Sequence, residues 1–253
     1  MRLAALLQLL AKVASGKTPL RALYYTLMIR FSRSLSGRRR FEFEKLYAED
    51  ADPWGYFSRP YELEKYRRTL DFVLGHCGAR GAALEVGCSV GVFTQMMAAA
   101  FDHVLAIDIS DEAVKLAAKT VADDHNVEVR SGDFLALEAE GGFDAIFFAE
   151  VLYYIDDAQG PDVCRALERL LSERGVFAVV HPAEGESGGW KEIFGGAFNT
   201  RASVIVPDPE RPYEITVYAR REAMRVAASS SAQRAKPVDV AHLAARPRLG
   251  LAV

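Results

Sequence analysis

The chain has 253 residues, half of them apolar, and carries a formal net charge of -3 at pH 7. This length is enough for one domain with a substantial core, and the weak net charge gives no general attraction to nucleic acid. The three cysteines lack the spacing typical of a zinc site or a disulfide framework. We therefore predict a reduced, cytoplasmic protein without a nucleic-acid partner and without a metal.

Residues 1–40 differ from the rest in charge, because they contain nine Lys and Arg and no Asp or Glu. Apolar residues recur there at helical spacing, which predicts an extension of two amphipathic helices. One interpretation is that these basic helices lie peripherally on an anionic membrane surface, on the inner face, or against a partner enzyme. The alternative is a helical cap folded onto the domain. A signal peptide is disfavoured, since Gln8 and Lys12 interrupt the short apolar run.

Residues 41–75 are predicted to form a lid segment that leads into an α/β core of residues 76–221. In the core, short β-rich runs alternate with helical ones, which indicates βαβ units and a mostly parallel sheet. The predicted helices are residues 92–100, 111–121 and 161–171. The predicted strands are residues 82–86, 103–108, 127–131, 143–149 and 176–181, with a closing antiparallel pair at 202–206 and 215–220. Residues 222–253 are predicted to be a flexible tail.

A glycine-rich turn follows the first predicted strand, in the string LEVGCSVGVFT from residue 84 to residue 94. Gly87 and Gly91 permit a sharp turn and a close approach of backbone N–H groups to a ligand. A dinucleotide pyrophosphate usually takes G-x-G-x-x-G, whereas this string reads E-x-G-x-S-x-G. The turn therefore suits a ligand without phosphate, although a nicotinamide-dependent dehydrogenase stays open as an alternative.

A carboxylate follows each of the next two predicted strands. Asp108 ends the second strand, where a carboxylate can accept from both ribose hydroxyls, and Asp133 and Phe134 follow the third. With the glycine turn, this order resembles the class I methyltransferases that use S-adenosylmethionine. The resemblance implies a Rossmann-like fold, with a mostly parallel seven-stranded sheet and helices on both faces. It also implies that Asp108 binds the ribose, that Asp133 accepts from the adenine amino group, and that Phe134 covers the ring.

The other cofactor-binding residues predicted from this resemblance lie in or beside the loops at the strand ends: Glu85, Gly87, Cys88, Ser89, Gly91, Ile109 and Glu150. Ser89 stands where Gly or Ala is commoner in that family, which is tolerable if its φ is negative.

The fourth predicted strand runs into the string AEVLYY, residues 149–154. The ligand crevice of such sheets lies at the carboxyl ends of the strands, so Glu150 is expected to face the reacting methyl group. The string differs from the Asn/Asp-Pro-Pro-Tyr/Phe motif of many nucleic-acid and protein amide N-methyltransferases. Together with the DPWG string at residues 52–55 and the pair Lys65-Tyr66, it resembles the nodulation protein S family over residues 41–181. That resemblance implies N-methylation of the free amine of a chito-oligosaccharide.

An amine acceptor must be deprotonated before methyl transfer, because an ammonium ion has no lone pair. Glu150 is the first candidate for accepting that proton or orienting the amine, and His181, which ends the fifth strand, is the second. Tyr153, Tyr154 and Trp190 are candidate contacts for a saccharide acceptor. Each of these residues also has a purely structural interpretation. The functional alternatives are O-methylation of a sugar or another small metabolite, and a cofactor-binding scaffold without catalysis.

Overall fold

A computed structural model describes residues 36–139, 142–183 and 189–221, so the predictions for residues 1–35 and 222–253 lie outside the described residues. No helix in the described ranges combines the length and the apolar character needed to cross a bilayer. The α-helices are α1 (Ser36–Glu49), α2 (Pro60–Leu74), α3 (Val92–Ala98), α4 (Asp111–Thr120), α5 (Gly160–Leu170) and α6 (Trp190–Ala197). The strands are β1 (Ala82–Val86), β2 (His103–Asp108), β3 (Val127–Ser131), β4 (Phe143–Ala149), β5 (Leu171–Pro182), β6 (Asn199–Val206) and β7 (Tyr213–Ala219).

The described strands form one seven-stranded sheet in the order β3-β2-β1-β4-β5-β7-β6. Strands β1 to β5 are parallel, and β7 runs antiparallel between β5 and β6. The chain order reverses between β1 and β4, which is the switch point where a crevice opens at the carboxyl ends of the strands. The predicted mostly parallel seven-stranded sheet is confirmed.

Alternate residues of the strands enter two separate hydrophobic cores, as the two-residue period of a strand requires. On one face, Ala145 and Phe147 pack against α1, α2 and α3. On the other face, Ile146 and Phe148 pack against α5 and α6. The prediction of helices on both faces is therefore confirmed.

Helix α1 is anchored to the start of α4. Ser110 caps α4 by accepting from the Ala113 N–H, as a Ser before two acidic residues predicts. The Glu44 carboxylate of α1 accepts from the hydroxyl of Ser110 and from the backbone N–H groups of Asp111 and Glu112, at 2.6 to 3.1 Å. A carboxylate is favourable there because the helix dipole is positive at that end. This contact places the start of the predicted lid beside the end of β2.

Candidate active site

The glycine turn after β1 has the backbone geometry that its sequence predicts. Gly87 and Gly91 have φ of 80° and 82°. A Cβ on Gly91 would lie 2.9 Å from the Ala117 Cα, and a Cβ on Gly87 would lie 2.8 Å from the Val151 Cγ2. Both positions therefore require glycine, since the backbone is left-handed and the space is already filled.

The condition under which Ser89 would be tolerated without strain, a negative φ, is not met, because its φ is 51°. Residues with a side chain seldom adopt this conformation, and it costs about 1–3 kcal/mol. Two hydrogen bonds hold Ser89 in place. Its N–H donates to Asp108 Oδ2 at 2.9 Å, and the Tyr47 hydroxyl of α1 donates to its Oγ at 2.7 Å. The strained turn is thus tied to both β2 and the lid segment.

Asp108 is buried at the end of β2 and accepts from the N–H groups of Ser89 and Ser110, both at 2.9 Å. Burial raises the pKa of its carboxyl to about 6, although these two N–H bonds act in the opposite direction. Asp133 lies beyond the end of the neighbouring strand β3. It is exposed, and its Oδ1 accepts from the Leu135 N–H at 2.9 Å. The roles of both carboxylates in cofactor binding stay predictions.

Phe134 does not face an open crevice. It is 3% exposed and packs edge-on against Phe148, with ring centroids 5.1 Å apart. Its predicted contact with an adenine ring is therefore not favoured by this packing, because the ring belongs to the core under α5. Ile109, the other apolar candidate, is half-buried beside the opposite core.

Two further predicted cofactor residues are buried under the turn. Glu85 accepts from the Thr94 hydroxyl at 2.5 Å, and burial raises the pKa of its carboxyl to about 8. Cys88 packs against Ala106 and Ala117, and burial raises the pKa of its thiol. Both side chains therefore point into the protein interior and stabilise the turn there. The backbone of the turn can then contact a ligand.

This arrangement fits an adenosyl compound by its chemistry. The turn reads E-x-G-x-S-x-G, which differs from the G-x-G-x-x-G pattern that a pyrophosphate usually takes. The carboxylates at the ends of β2 and β3 suit the hydroxyl and amino donors of an adenosine.

Glu150 follows β4 in a left-handed conformation, with φ of 61°. Its N–H donates to the Val180 carbonyl of β5 at 3.0 Å. Its Oε1 accepts from Lys65 Nζ at 3.0 Å and from Arg211 Nη2 at 2.7 Å. Its Oε2 is buried and makes no hydrogen bond to any described residue. Oε1 thus accepts two hydrogen bonds from cations, whereas Oε2 can still accept a hydrogen bond.

The charge of Glu150 is set by these neighbours. Burial alone would raise the pKa of its carboxyl, but Arg211 and Lys65 together lower it to about 2. A carboxylate with so low a pKa is a weak proton acceptor near neutral pH. Orienting an acceptor group is therefore better supported for Glu150 than taking its proton.

His181 is not brought together with Glu150. The His181 Nδ1 lies 3.0 Å from the Pro182 carbonyl, and its Nε2 lies 3.8 Å from Glu214 Oε2. Lys191 of α6 binds the same Glu214 carboxylate at 3.0 Å. Because α6 covers one face of the sheet and α2, which carries Lys65, covers the other, the two proton-acceptor candidates engage groups on opposite faces. The catalytic role of His181 stays a prediction.

The three aromatic candidates also lie on opposite faces of the sheet. Tyr153 is close enough to Glu150 to contribute to its lowered pKa, and it packs on Tyr154 with ring centroids 4.5 Å apart. Tyr154 in turn meets Phe43 of α1 edge-on at 5.2 Å. Trp190 is different, because it is 2% exposed and packs against Phe194 in the core under α6. The structure thus favours core packing for Trp190 over the predicted acceptor contact.

Comparison with known families identifies the arrangement. The family model for nodulation protein S (NodS) matches residues 42–197, which is more than half of the chain. The chain belongs to the NodS family.

Individual proteins with similar sequences match the chain over part of their length. The chain is 32% identical to nodulation protein S of Rhizobium tropici over 106 residues, which are 42% of this chain and 44% of that protein. It is 36% identical to a ubiquinone biosynthesis O-methyltransferase of Xanthomonas oryzae pv. oryzae over 112 residues, 42% and 45% of the two chains. The chain thus spans about half the length of the curated relatives it matches.

The N-methyltransferase NodS of Bradyrhizobium japonicum WM9, solved with S-adenosyl-L-homocysteine, is similar with a TM-score of 0.64. The match has 21% identity and covers 72% of this chain and 99% of that chain. At this identity the likeness confirms the Rossmann-like fold.

Sequence reasoning missed the cations that hold Glu150, although one signal was present. The buried residues of α2 recur at helical spacing, and the charged Glu62 and Lys65 occupy two of those core positions. Charges at core positions are costly unless paired, so they indicate a buried ion pair. Arg211 gave no comparable signal, because it lies in a proline-flanked turn between β6 and β7.

Proposed function

We propose that this member of the NodS family is an S-adenosylmethionine-dependent methyltransferase that N-methylates the free amine of an amino sugar or oligosaccharide. Family membership and the N-methyltransferase activity of NodS of Bradyrhizobium japonicum support the reaction. The observation that carries the proposal is the Glu150 carboxylate, which is buried, ionised and left with one unpartnered oxygen at the carboxyl end of β4.

The cofactor would lie along the carboxyl ends of β1, β2 and β3. Asp108 would accept from the ribose hydroxyls, Asp133 from the adenine amino group, and the turn from Gly87 to Gly91 would line the approach. When bound, the cofactor supplies a methyl group already activated on a sulfonium. The chain then has to hold the acceptor atom in line with that methyl group, which is an effect of positioning.

The acceptor would bind at Glu150. Its Oε2 is an acceptor without a donor, so an N–H of the incoming amine satisfies it and fixes the direction of the nitrogen lone pair. Tyr153 lies beside the same carboxylate and would contact a sugar ring next to the amine. Burial of the cluster excludes water, which strengthens these polar contacts.

The test is methyl transfer from labelled S-adenosylmethionine to a panel of saccharides by the full chain. Glucosamine and chito-oligosaccharides with one free amine are expected to take the label on nitrogen, as read by mass spectrometry of the product. Fully N-acetylated chito-oligosaccharides are the matched control and should take none. Absence of product with every free-amine acceptor would contradict the proposal.

O-methylation of a sugar or another small metabolite is the second candidate, supported by the likeness to the ubiquinone biosynthesis O-methyltransferase. An O–H can satisfy Glu150 Oε2 as well as an N–H does. Equal labelling of glucosamine and its N-acetylated control would favour this alternative. In that case the label would be found on oxygen.

For residues 1–40 we propose peripheral contact with an anionic membrane surface on the cytoplasmic side, supported by nine cationic and no acidic residues. Sedimentation of the full chain with vesicles containing anionic lipid should fall as salt rises, and neutral vesicles are the control. Equal sedimentation with both vesicles would contradict this contact.

A further inference from the structure

Glu150 belongs to a cluster of four buried or half-buried charges from three parts of the chain. Lys65 is 2% exposed and lies 2.8 Å from Glu62 Oε2 as well as 3.0 Å from Glu150 Oε1. Arg211 reaches the same Oε1 from the turn between β6 and β7. The Tyr61 hydroxyl holds that turn by donating to the Arg211 carbonyl at 2.9 Å. Two carboxylates thus face two cations, and the cluster is neutral as a whole.

The free-energy cost of binding at a neutral buried cluster is higher for a charged ligand than for an uncharged one. Removing a cation from water is expensive, and a buried charge is tolerated when an opposite charge compensates it. Lys65 and Arg211 already compensate Glu62 and Glu150, so an arriving ammonium would add an uncompensated positive charge beside two cations. An uncharged amine adds no charge and still offers an N–H to Glu150 Oε2.

We propose that Lys65 and Arg211 are positioning residues that make this subsite select an acceptor whose amine is already uncharged. The inference rests on the proposed function and specifies the protonation state in which the acceptor binds. In the transfer, the lone pair of the uncharged nitrogen bonds to the methyl carbon while the carbon–sulfur bond breaks with its electron pair left on sulfur. The nitrogen takes up the positive charge that the sulfonium loses, so the net charge of the site does not change during transfer. The methylated product then releases one proton to solvent as it leaves the buried cluster. No protein base is needed before transfer.

The two cations and the tyrosine hydroxyls that face Glu150 do not change charge between about pH 6 and about pH 9. Lys65 and Arg211 have raised pKa values, as the neighbouring carboxylates require. Burial raises the pKa of the Tyr56, Tyr61 and Tyr153 hydroxyls, so all three stay neutral. Three other charged groups lie nearby. The Glu62 carboxylate balances the charge of Lys65, and Arg59, which also contacts Glu62, forms an ion pair with Glu210. A pH effect on acceptor binding is therefore assigned to the acceptor.

The experiment is calorimetry of glucosamine binding to the full chain saturated with S-adenosylhomocysteine, at about pH 6 and about pH 9, on either side of the range where activated amines lose their proton. Saturation removes the contribution of Asp108, whose pKa of about 6 affects the cofactor site. We expect glucosamine to bind at least about tenfold more tightly at the higher pH. Glucose, which has a hydroxyl in place of the amine, is the matched ligand and should show no such change.

Variants separate this role from a merely structural one. Lys65→Met and Arg211→Met each leave the cluster with a net negative charge, so the preference should reverse toward the lower pH. Arg68→Met is the matched control, because Arg68 lies on the same helix but pairs with Glu64 at the surface. Its preference should equal that of the unchanged chain. Arg211→Met keeps the test valid if Lys65→Met fails to fold, since Arg211 is more exposed than Lys65.

Each outcome is decisive. Equal binding of glucosamine at the two pH values, or tighter binding at the lower pH, by the unchanged chain overturns this inference and leaves N-methylation standing. An unchanged preference, or loss of binding at both pH values, in Arg211→Met also overturns it. Absence of glucosamine binding by the unchanged chain at both pH values overturns the proposed amino-sugar function and this inference together.

Discussion

The proposed cofactor end and the proposed acceptor end of the crevice each hold a buried carboxylate, but by different means. Asp108, at the cofactor end, accepts from backbone N–H groups that lie 2 and 19 residues away in sequence. Glu150, at the acceptor end, accepts from the side chains of Lys65 and Arg211, which lie 85 and 61 residues away. Burial raises the pKa of Asp108 to about 6, whereas cations lower the pKa of Glu150 to about 2.

Because the two carboxylates are compensated differently, the two ends should respond differently to pH and to substitution. Backbone donors are partial charges and compensate burial incompletely, so Asp108 can gain a proton under mildly acidic conditions. Side-chain cations compensate burial fully, so Glu150 stays charged and its environment fails only when a partner is removed. The cofactor end should therefore be sensitive to backbone shape and pH, and the acceptor end to single charge changes.

The largest effect is expected at the acceptor end. Glu150→Gln removes the negative charge and leaves Lys65 and Arg211 without their shared partner. We expect turnover of a free-amine acceptor to fall by about 100–1000-fold, as for loss of one preorganised polar group, while S-adenosylhomocysteine affinity changes by less than about threefold. Steady-state kinetics and calorimetry measure the two effects. Glu64→Gln, at an exposed carboxylate of α2, is the control. Near-normal turnover by the Glu150→Gln variant would remove Glu150 from the reaction.

At the cofactor end, the strongest effect is expected from the shape of the turn. Gly87→Ala puts a Cβ 2.8 Å from the Val151 Cγ2 at a φ of 80°. The turn must shift, so we expect S-adenosylhomocysteine affinity to fall by about 30-fold, or about 2 kcal/mol. Calorimetry measures it. Gly132→Ala is the matched control, because a Cβ there meets nothing within 4 Å. Equal affinities of the two variants would contradict the proposed approach of this turn to the cofactor.

A smaller effect, confined to the cofactor end, is expected from pH. The ionised Asp108 carboxylate accepts from ribose hydroxyls, and its protonated form accepts less well. S-adenosylhomocysteine affinity should therefore be constant above about pH 7 and fall by up to about tenfold per pH unit below the pKa of about 6. Asp108→Asn should bind weakly at every pH, with a flat profile. A flat profile in the unchanged chain would show that Asp108 does not bind the cofactor through its charge.

The difference between contacts that are local in sequence and contacts that are distant in sequence explains which parts of the site the sequence could predict. The cofactor end is built from contiguous strings, in which strand, turn and carboxylate follow each other within a few residues, so their order along the chain predicts their meeting in space. The predicted boundaries of β1 to β4 agree with the structure to the residue for this reason. Strand β5 begins at Leu171 instead of the predicted 176, because Leu171 pairs with Phe143 across a register shift.

The acceptor end depends on residues that only the fold brings together. Lys65, Glu150 and Arg211 lie on α2, after β4 and after β6, and nothing in their spacing predicts that they meet. Aromatic side chains were ambiguous for a different reason. Phe134 and Trp190 follow local patterns that suit a crevice as well as a core, and burial decided for the core in both.

The smallest effect concerns Ser89, whose φ of 51° is left-handed. Relief of the left-handed strain by Ser89→Gly should stabilise the chain by about 1–3 kcal/mol, while loss of the Tyr47 hydrogen bond should cost about 0.5–1.5 kcal/mol. Ser89→Gly should therefore stabilise the otherwise unchanged chain by a net of about 1 kcal/mol. In a Tyr47→Phe background the bond is already absent, so Ser89→Gly should stabilise by about 1 kcal/mol more than it does alone. Urea unfolding of the four chains measures this difference. Equal gains in both backgrounds would mean that the bond from α1 contributes nothing to holding the turn, and that the strain at Ser89 is balanced by Asp108 alone.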